Sequence, residues 1–262
     1  MKPDKKTRTD LNFRNFSPTN ETSVLLDFKT AFVDRLLREC GGRPVRLLDL
    51  GSGTSKDFPD LLRQYPNVTY TGVEPNSTAR ATAARLLAGI PHVALEGLWG
   101  ESLAEHHHDT FDITLSLSAL EHVKYLEEFL ATSVAVTKPG GVVVHRYDLG
   151  HALYPASWYE RVLVTASRTM PWIVPASIFT SHPDLTRITR TLNRYGVRDV
   201  SVQYGQMYGL KQAMNHVARL DQSLAARIIQ LDTDLADMLA SRLTALETER
   251  FFPSVVVRGV KD

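Results

Sequence analysis

Cysteine is nearly absent: Cys40 is the one thiol in 262 residues, which excludes an internal disulfide and a small cross-linked secreted scaffold. It precedes Gly41-Gly42 at an expected helix end and reads as structurally inert. Apolar runs long enough to cross a bilayer are also missing, and no secretory leader is evident, so the expectation is a soluble chain of a reducing compartment, the cytoplasm. Charge of one sign is not in excess either. Thirty Lys and Arg balance 29 Asp and Glu, leaving no global field to steer the chain to nucleic acid or to an acidic membrane surface. Repeats are lacking, and His106–His108 is the one low-complexity run, read as a solvated loop.

The length suits one large α/β domain with a full core rather than two independent domains. Residues 1–20 are polar and aperiodic and are expected to be mobile, with Lys2 to Arg8 a solvated tail. Residues 21–262 form the single domain.

The stretch that organises the chain is Leu47 to Ser55, L-L-D-L-G-S-G-T-S. Its apolar start predicts a buried parallel strand, and Gly51 and Gly53 let a ligand approach the backbone. Thr54 or Ser55 is expected to cap the following helix, whose N-terminus would face the ligand. Before it, a helical period runs from Glu21 to Glu39. After it, strands are predicted at Val68–Glu74, Val93–Leu95, Phe111–Leu117 and Val142–Tyr147, with helices between them, one of them capped by Asn76 or Ser77. This alternation predicts a doubly wound, mostly parallel sheet.

The C-terminal third changes pattern. Helices are expected at Ala156–Arg168 and Asp184–Tyr195, then strands at Val197–Tyr204 and Ser254–Val260. Between those strands lie two predicted amphipathic helices, Leu210–Asp221 and Leu224–Leu246, a helical cap or insertion at about 209–250 that can serve as a dimer surface. The stripe Leu224, Ile228, Leu231, Leu235, Met238 and Leu246 is expected to be ordinary packing.

Asp49 and Glu74 fall at the ends of adjacent predicted strands, the edge where α/β sheets bind ligands. A carboxylate in the position of Glu74 can accept both hydroxyls of a ribose, and Asp49 can orient the turn or receive an ammonium group.

From about Arg43 to Tyr147 the sequence resembles the class I S-adenosylmethionine-dependent methyltransferases of the small-molecule type. Four blocks carry the resemblance: the turn Leu47–Ser55, Val73-Glu74-Pro75, Phe111–Val123 and Lys138–Val144. It implies a Rossmann-like seven-stranded sheet whose last strand is antiparallel, with the helical insertion lying above the cofactor site. The cofactor implied is S-adenosyl-L-methionine, with Gly51 and Gly53 at its methionine part, Glu74 on the ribose, and Ser116 with its neighbours Leu117 and Ser118 lining the methionine side. Gly97, Leu98 and Trp99 stand where the family approaches the adenine. Leu98 occupies a position where an Asp is common, which leaves stacking on Trp99 or backbone contacts for recognition. Ser55 replaces a frequent third glycine and is tolerated if its φ is negative.

The reaction implied is in-line methyl transfer to an oxygen or nitrogen of a small molecule. Candidate bases are His122, His145, Asp148 and His151; His151 with Asp148 as its orienter is preferred, a hydrogen-bonded loop pair being the structural alternative. No metal site is expected, because Ser116 stands where metal-dependent members carry an Asp. Aromatics of the C-terminal third, Trp158, Tyr159, Trp172, Phe179, Tyr204 and Tyr208, suit the core or an apolar substrate pocket. A dinucleotide oxidoreductase fits less well, since Lys56 takes the place of the third glycine of its fingerprint. Nucleic-acid methylation is disfavoured by Ser116-Leu117-Ser118-Ala119 at the end of the fourth strand. A cofactor-binding scaffold without catalysis is the non-enzyme alternative.

Overall fold

The computed structural model describes residues 27–154, 157–217 and 221–262; the side chains of Glu101, His151, Ala152, Ser177, Gln212, Asn215 and His216 also lie outside the description, as does the expected mobile segment 1–20. Seven strands form one sheet in the order β3-β2-β1-β4-β5-β7-β6. They are β1 (Val45–Leu50), β2 (Val68–Val73), β3 (Val93–Glu96), β4 (Phe111–Leu117), β5 (Thr137–Asp148), β6 (Val197–Gly205) and β7 (Ser254–Lys261). The first five are mutually parallel, and β7 runs antiparallel between β5 and β6. The expected α/β sheet with its antiparallel last strand is thus observed.

The helices in chain order are α1 (Phe28–Arg38), α2 (Pro59–Gln64), α3 (Ser77–Leu86), α4 (Leu126–Val136), α5 (Gly150–Leu153), α6 (Trp158–Thr169), α7 (Leu185–Arg194), α8 (Tyr208–Val217), α9 (Gln222–Ala240) and α10 (Ala245–Phe251). Because β1 lies inside the sheet, its alternate side chains feed two cores. Val45 and Leu47 pack with Phe32, Val33 and Leu36 of α1 and with Phe58. Leu48 and Leu50 pack with Phe129 and Leu130 of α4 and with Ile188 and Leu192 of α7. Burial on both sides accounts for the uninterrupted apolar run.

Several local expectations are corrected. Neither Thr54 nor Ser55 caps α2, which begins at Pro59 with Phe58 before it and no side-chain cap. Proline suits a first helical turn, and the residues before it are spent in a loop with positive φ at Gly51, Gly53 and Ser55. The predicted helix Leu224–Leu246 is two helices, because Thr244 and Glu247 form a capping box that starts α10. Its apolar stripe is only partly packed: Ile228 lies against the cluster of Phe28, Met214 and Ala225 and Leu235 is half-buried, but Leu224, Leu231, Met238 and Leu246 are exposed, and Ala225, Asp232 and Ala236 are the buried positions of α9. Trp158 and Trp172, 76% and 73% exposed, are likewise outside the core. His107 is not simply solvated, since its ring packs on Phe111 and its Nε2 lies 2.9 Å from Glu96.

Candidate active site

The loop from Gly51 to Phe58 lies across the carboxyl ends of β1 and β4. Gly51 has φ +74, and a Cβ there would stand 2.8 Å from that of Ala119, so both conformation and space require glycine. Gly53, with φ +55, has nothing within 4 Å of where its Cβ would be, so its backbone is open to a ligand. Ser55 does not meet the expected condition of negative φ; it sits at +50. That left-handed conformation costs a non-glycine residue roughly 1 kcal/mol, and the Ser55 hydroxyl, 2.9 Å from Tyr70 Oη, offsets part of it.

Tyr70 Oη in turn donates to Asp49 Oδ2 at 3.1 Å. Asp49 is buried, and among the described residues its Oδ1 has no hydrogen-bond partner. Desolvation pushes the Asp49 carboxyl up to about 7, against the opposing Tyr70 hydrogen bond.

Glu74 follows β2 directly. Its Oε2 accepts the Gly53 amide at 3.0 Å and its Oε1 the Asn76 amide at 2.8 Å, so one carboxylate ties the glycine loop to the start of α3. Burial raises this carboxyl above its ordinary range while the two amides oppose the rise. Asn76 caps α3 as expected, accepting from Thr78 and Ala79. Arg80 reaches back to the carbonyls of Glu74 and Pro75, and a Cβ at Gly97 would stand 2.8 Å from its guanidinium carbon. Gly97 therefore makes room for an arginine that secures the Glu74 turn.

These elements enclose a cavity of about 340 Å³. Of the residues singled out in the sequence, Asp49, Gly51, Gly53, Glu74, Trp99 and His122 line it. Leu98 packs instead on the core beneath α4. Ser116 also turns away, since strand alternation points it at the helix layer: its Oγ is 2.9 Å from His145 Nδ1, and Ser133 Oγ is 3.0 Å from Nε2. Complete burial drives His145 down to about 3, so it is a neutral core histidine held by two hydroxyls. Leu117 and Ser118, named with Ser116 in the sequence, do line the cavity, as does Ala119.

His122 faces the cavity with Nδ1 3.3 Å from both the Phe179 carbonyl and Thr180 Oγ1, and burial lowers its pKa. Asp148 does not line the cavity; it accepts from the Gly150 amide and pairs with Lys211 of α8. His151 lies on α5 with its side chain outside the described residues. Among the described residues, none from α8 to α10 lines this cavity.

Three charged lining residues escaped the sequence reading. Lys29 comes from the first turn of α1, Asp57 from the loop, and Lys124 is held by its bond to the Val174 carbonyl at 2.6 Å. Lys29 opposes the rise that burial imposes on both Asp49 and Asp57. A lysine beside a helix cap carries no local signal of such a role. Phe179 is the one residue of the C-terminal aromatic set that lines the cavity.

Known proteins resemble this chain in sequence and in fold. A ubiquinone biosynthesis O-methyltransferase of Rhodopseudomonas palustris is 32% identical over 131 residues, 49% of this chain and 48% of that protein. One of Methylobacterium nodulans is 35% identical over 100 residues, 37% and 38% of the two chains. The chain thus spans no more than about half the length of these curated relatives. Among solved structures, a SAM-dependent methyltransferase from Archaeoglobus fulgidus matches with TM-score 0.51 at 17% identity, over 88% of this chain and 94% of that one. Phosphoethanolamine N-methyltransferase 2 of Haemonchus contortus, solved with S-adenosyl-L-methionine, matches with TM-score 0.57 at 16% identity, over 91% of this chain and 53% of that one. At such identities the structures speak for the fold. The family model described as a methyltransferase domain matches residues 25–202, well over half of the chain, and the chain belongs to that family.

Proposed function

We propose that the chain transfers the methyl group of S-adenosylmethionine to an oxygen or nitrogen of a small molecule. The observation that carries this reading is the pair of carboxylates at the glycine loop. Asp49 presents a buried oxygen without a partner, suited to an ammonium group. Glu74 keeps acceptor capacity after taking the Gly53 and Asn76 amides, enough for ribose hydroxyls. With the open face of Gly53 and the ring of Trp99, these residues fit the cofactor's methionine and nucleoside ends. When bound, the cofactor supplies a methyl already activated on sulfur.

The remaining work belongs to the chain. Phe129 and Phe179 wall the cavity and exclude water. His122, kept neutral by burial, is suited to take a proton from the acceptor; donation from Nδ1 to the Phe179 carbonyl leaves the ring's lone pair on Nε2. The O-methyltransferase names of the curated relatives favour oxygen as the acceptor atom. Single Cys40 and balanced charge support a cytoplasmic enzyme that does not act on nucleic acid, and no described helix is long and apolar enough to cross a membrane. Leu224, Leu231 and Met238, exposed at seven-residue spacing on α9, support a homodimer through that helix.

Calorimetric titration tests the cofactor: heat with S-adenosylhomocysteine and none with NAD is expected, and the reverse overturns the reading. His122→Asn should lower kcat roughly 10²-fold with phenol or amine acceptors while leaving cofactor affinity intact. Full activity would remove His122 from the chemistry.

A further inference from the structure

Between α1, α9 and the β6–β7 pair lies a second cavity of about 250 Å³. Arg146 of β5 lines it. The guanidinium is buried, donates to Ser254 Oγ at 2.9 Å and to the Phe28 carbonyl at 2.8 Å, and stands 6.0 Å from the centre of the Phe32 ring. Both hydrogen-bond acceptors are neutral, and among the described residues no carboxylate forms an ion pair with it. A buried charge in such company is costly unless an anion is supplied.

Asp27, Asp148, Asp57 and Asp232 act on Arg146 through their charge, and among the described residues none of them hydrogen-bonds to it. Asp27 caps α1 through the amides of Lys29 and Thr30. Asp148 takes Gly150 and Lys211, and Asp232 takes the amides of Gln206 and Met207. Asp57 belongs to the first cavity. The cavity also carries Asp232 and Asp237 of α9, while Gln203 and Gln230 add neutral polar groups and Arg35 of α1 completes the charged lining. A lone anion would meet those carboxylates. A molecule carrying both charges can meet Arg146 with its anionic end and the α9 carboxylates with its cationic end.

We propose that this cavity binds a small zwitterion of amino-acid type, its carboxylate on Arg146 and its ammonium group toward Asp232 and Asp237, at a site separate from the methyl-transfer cavity. The whole chain is titrated by NMR with glycine, β-alanine and γ-aminobutyrate, with acetate and ethylamine as single-charge controls. Saturable binding of at least one amino acid is expected. Gln203→Glu, an exposed edge-strand position, brings a further carboxylate into the cavity, and Asp237→Asn removes one from the rim; each should weaken that binding roughly tenfold. Binding of S-adenosylhomocysteine should not change in either variant. Arg146→Gln is the direct variant, but it also breaks the bonds to Ser254 and Phe28, so the two rim variants decide the matter if it fails to fold. The proposal is overturned if no amino acid binds saturably, if acetate binds as tightly as the amino acids, or if both rim variants bind undiminished.

Discussion

Tyr70 donates its hydroxyl to Asp49 across 3.1 Å, from β2 to its neighbour β1, directly beneath the glycine loop. Because Ser55 Oγ stands 2.9 Å from the same hydroxyl, one buried phenol joins the strand carboxylate to the strained position of the loop. The shape of the loop and the protonation of Asp49 are therefore coupled.

Tyr70→Phe removes the donor and leaves the second oxygen of Asp49 bare. The loss should be about 1–3 kcal/mol of unfolding free energy, as for other buried hydrogen bonds broken on one side. Urea denaturation with an unchanged midpoint and slope would show that the bond does not matter in solution.

Asp49 and Glu121 are both raised to about 7, from ordinary values of 3.8 and 4.5, chiefly by burial. With folded values above the unfolded ones, their stabilising contribution is full below about pH 4 and is lost as pH rises through about 7. Asp49→Asn deletes the Asp49 share, so the variant should gain on the wild type over that interval, by up to about 4 kcal/mol. A stability difference that stays flat with pH would contradict it. His145 acts with the opposite sign: lowered to about 3, it adds stability above its unfolded value of 6.5, which fades as pH falls toward 3.

Gly51 and Gly53 should fail in different ways when replaced by alanine. Gly51→Ala meets Ala119 and should unfold the loop region, with a stability loss of about 1–3 kcal/mol from strain and overpacking. Gly53→Ala has space around it, so it should cost only about 1 kcal/mol of conformational strain. Its methyl would nevertheless occupy ligand space, and titration with S-adenosylhomocysteine should show the larger defect. Equal effects of the two variants on stability would count against the open face of Gly53.

Ser55 permits a comparison of two small residues. Ser55→Gly relieves the positive φ but loses the bond to Tyr70, and should come out near neutral. Ser55→Ala loses the bond and keeps the strain, and should be less stable than Ser55→Gly by about 1 kcal/mol. Thermal melts in which the alanine variant equals or exceeds the glycine variant would show that the position is not strained.

Much of the fold was legible because its signals are local. Phe111–Leu117 was read to the residue, and the Asn76 cap follows from a side chain that can bond only its own next turn. The start of α2 was misplaced because Thr54 and Ser55 are good caps by composition, while positive φ at Ser55 takes that residue out of the helix path. Leu224, Leu231, Met238 and Leu246 of the late stripe were misread as packed, because periodicity identifies an apolar face without saying whether anything covers it.

By itself the sequence determined the alternating elements, the glycine loop and the two strand-end carboxylates, since strand period, turn chemistry and chain order are properties of neighbouring residues. Only the tertiary structure decided that Glu74 would hold the Gly53 amide, that Ser116 would turn to His145 rather than to the cavity, and that Lys29 would join the cavity from α1. Each of these depends on the packing of distant segments and on which face of a buried strand a side chain takes, and burial then moves Asp49 to about 7 and His145 to about 3. Desolvation of a charge is set by everything around it, which no local run of residues specifies.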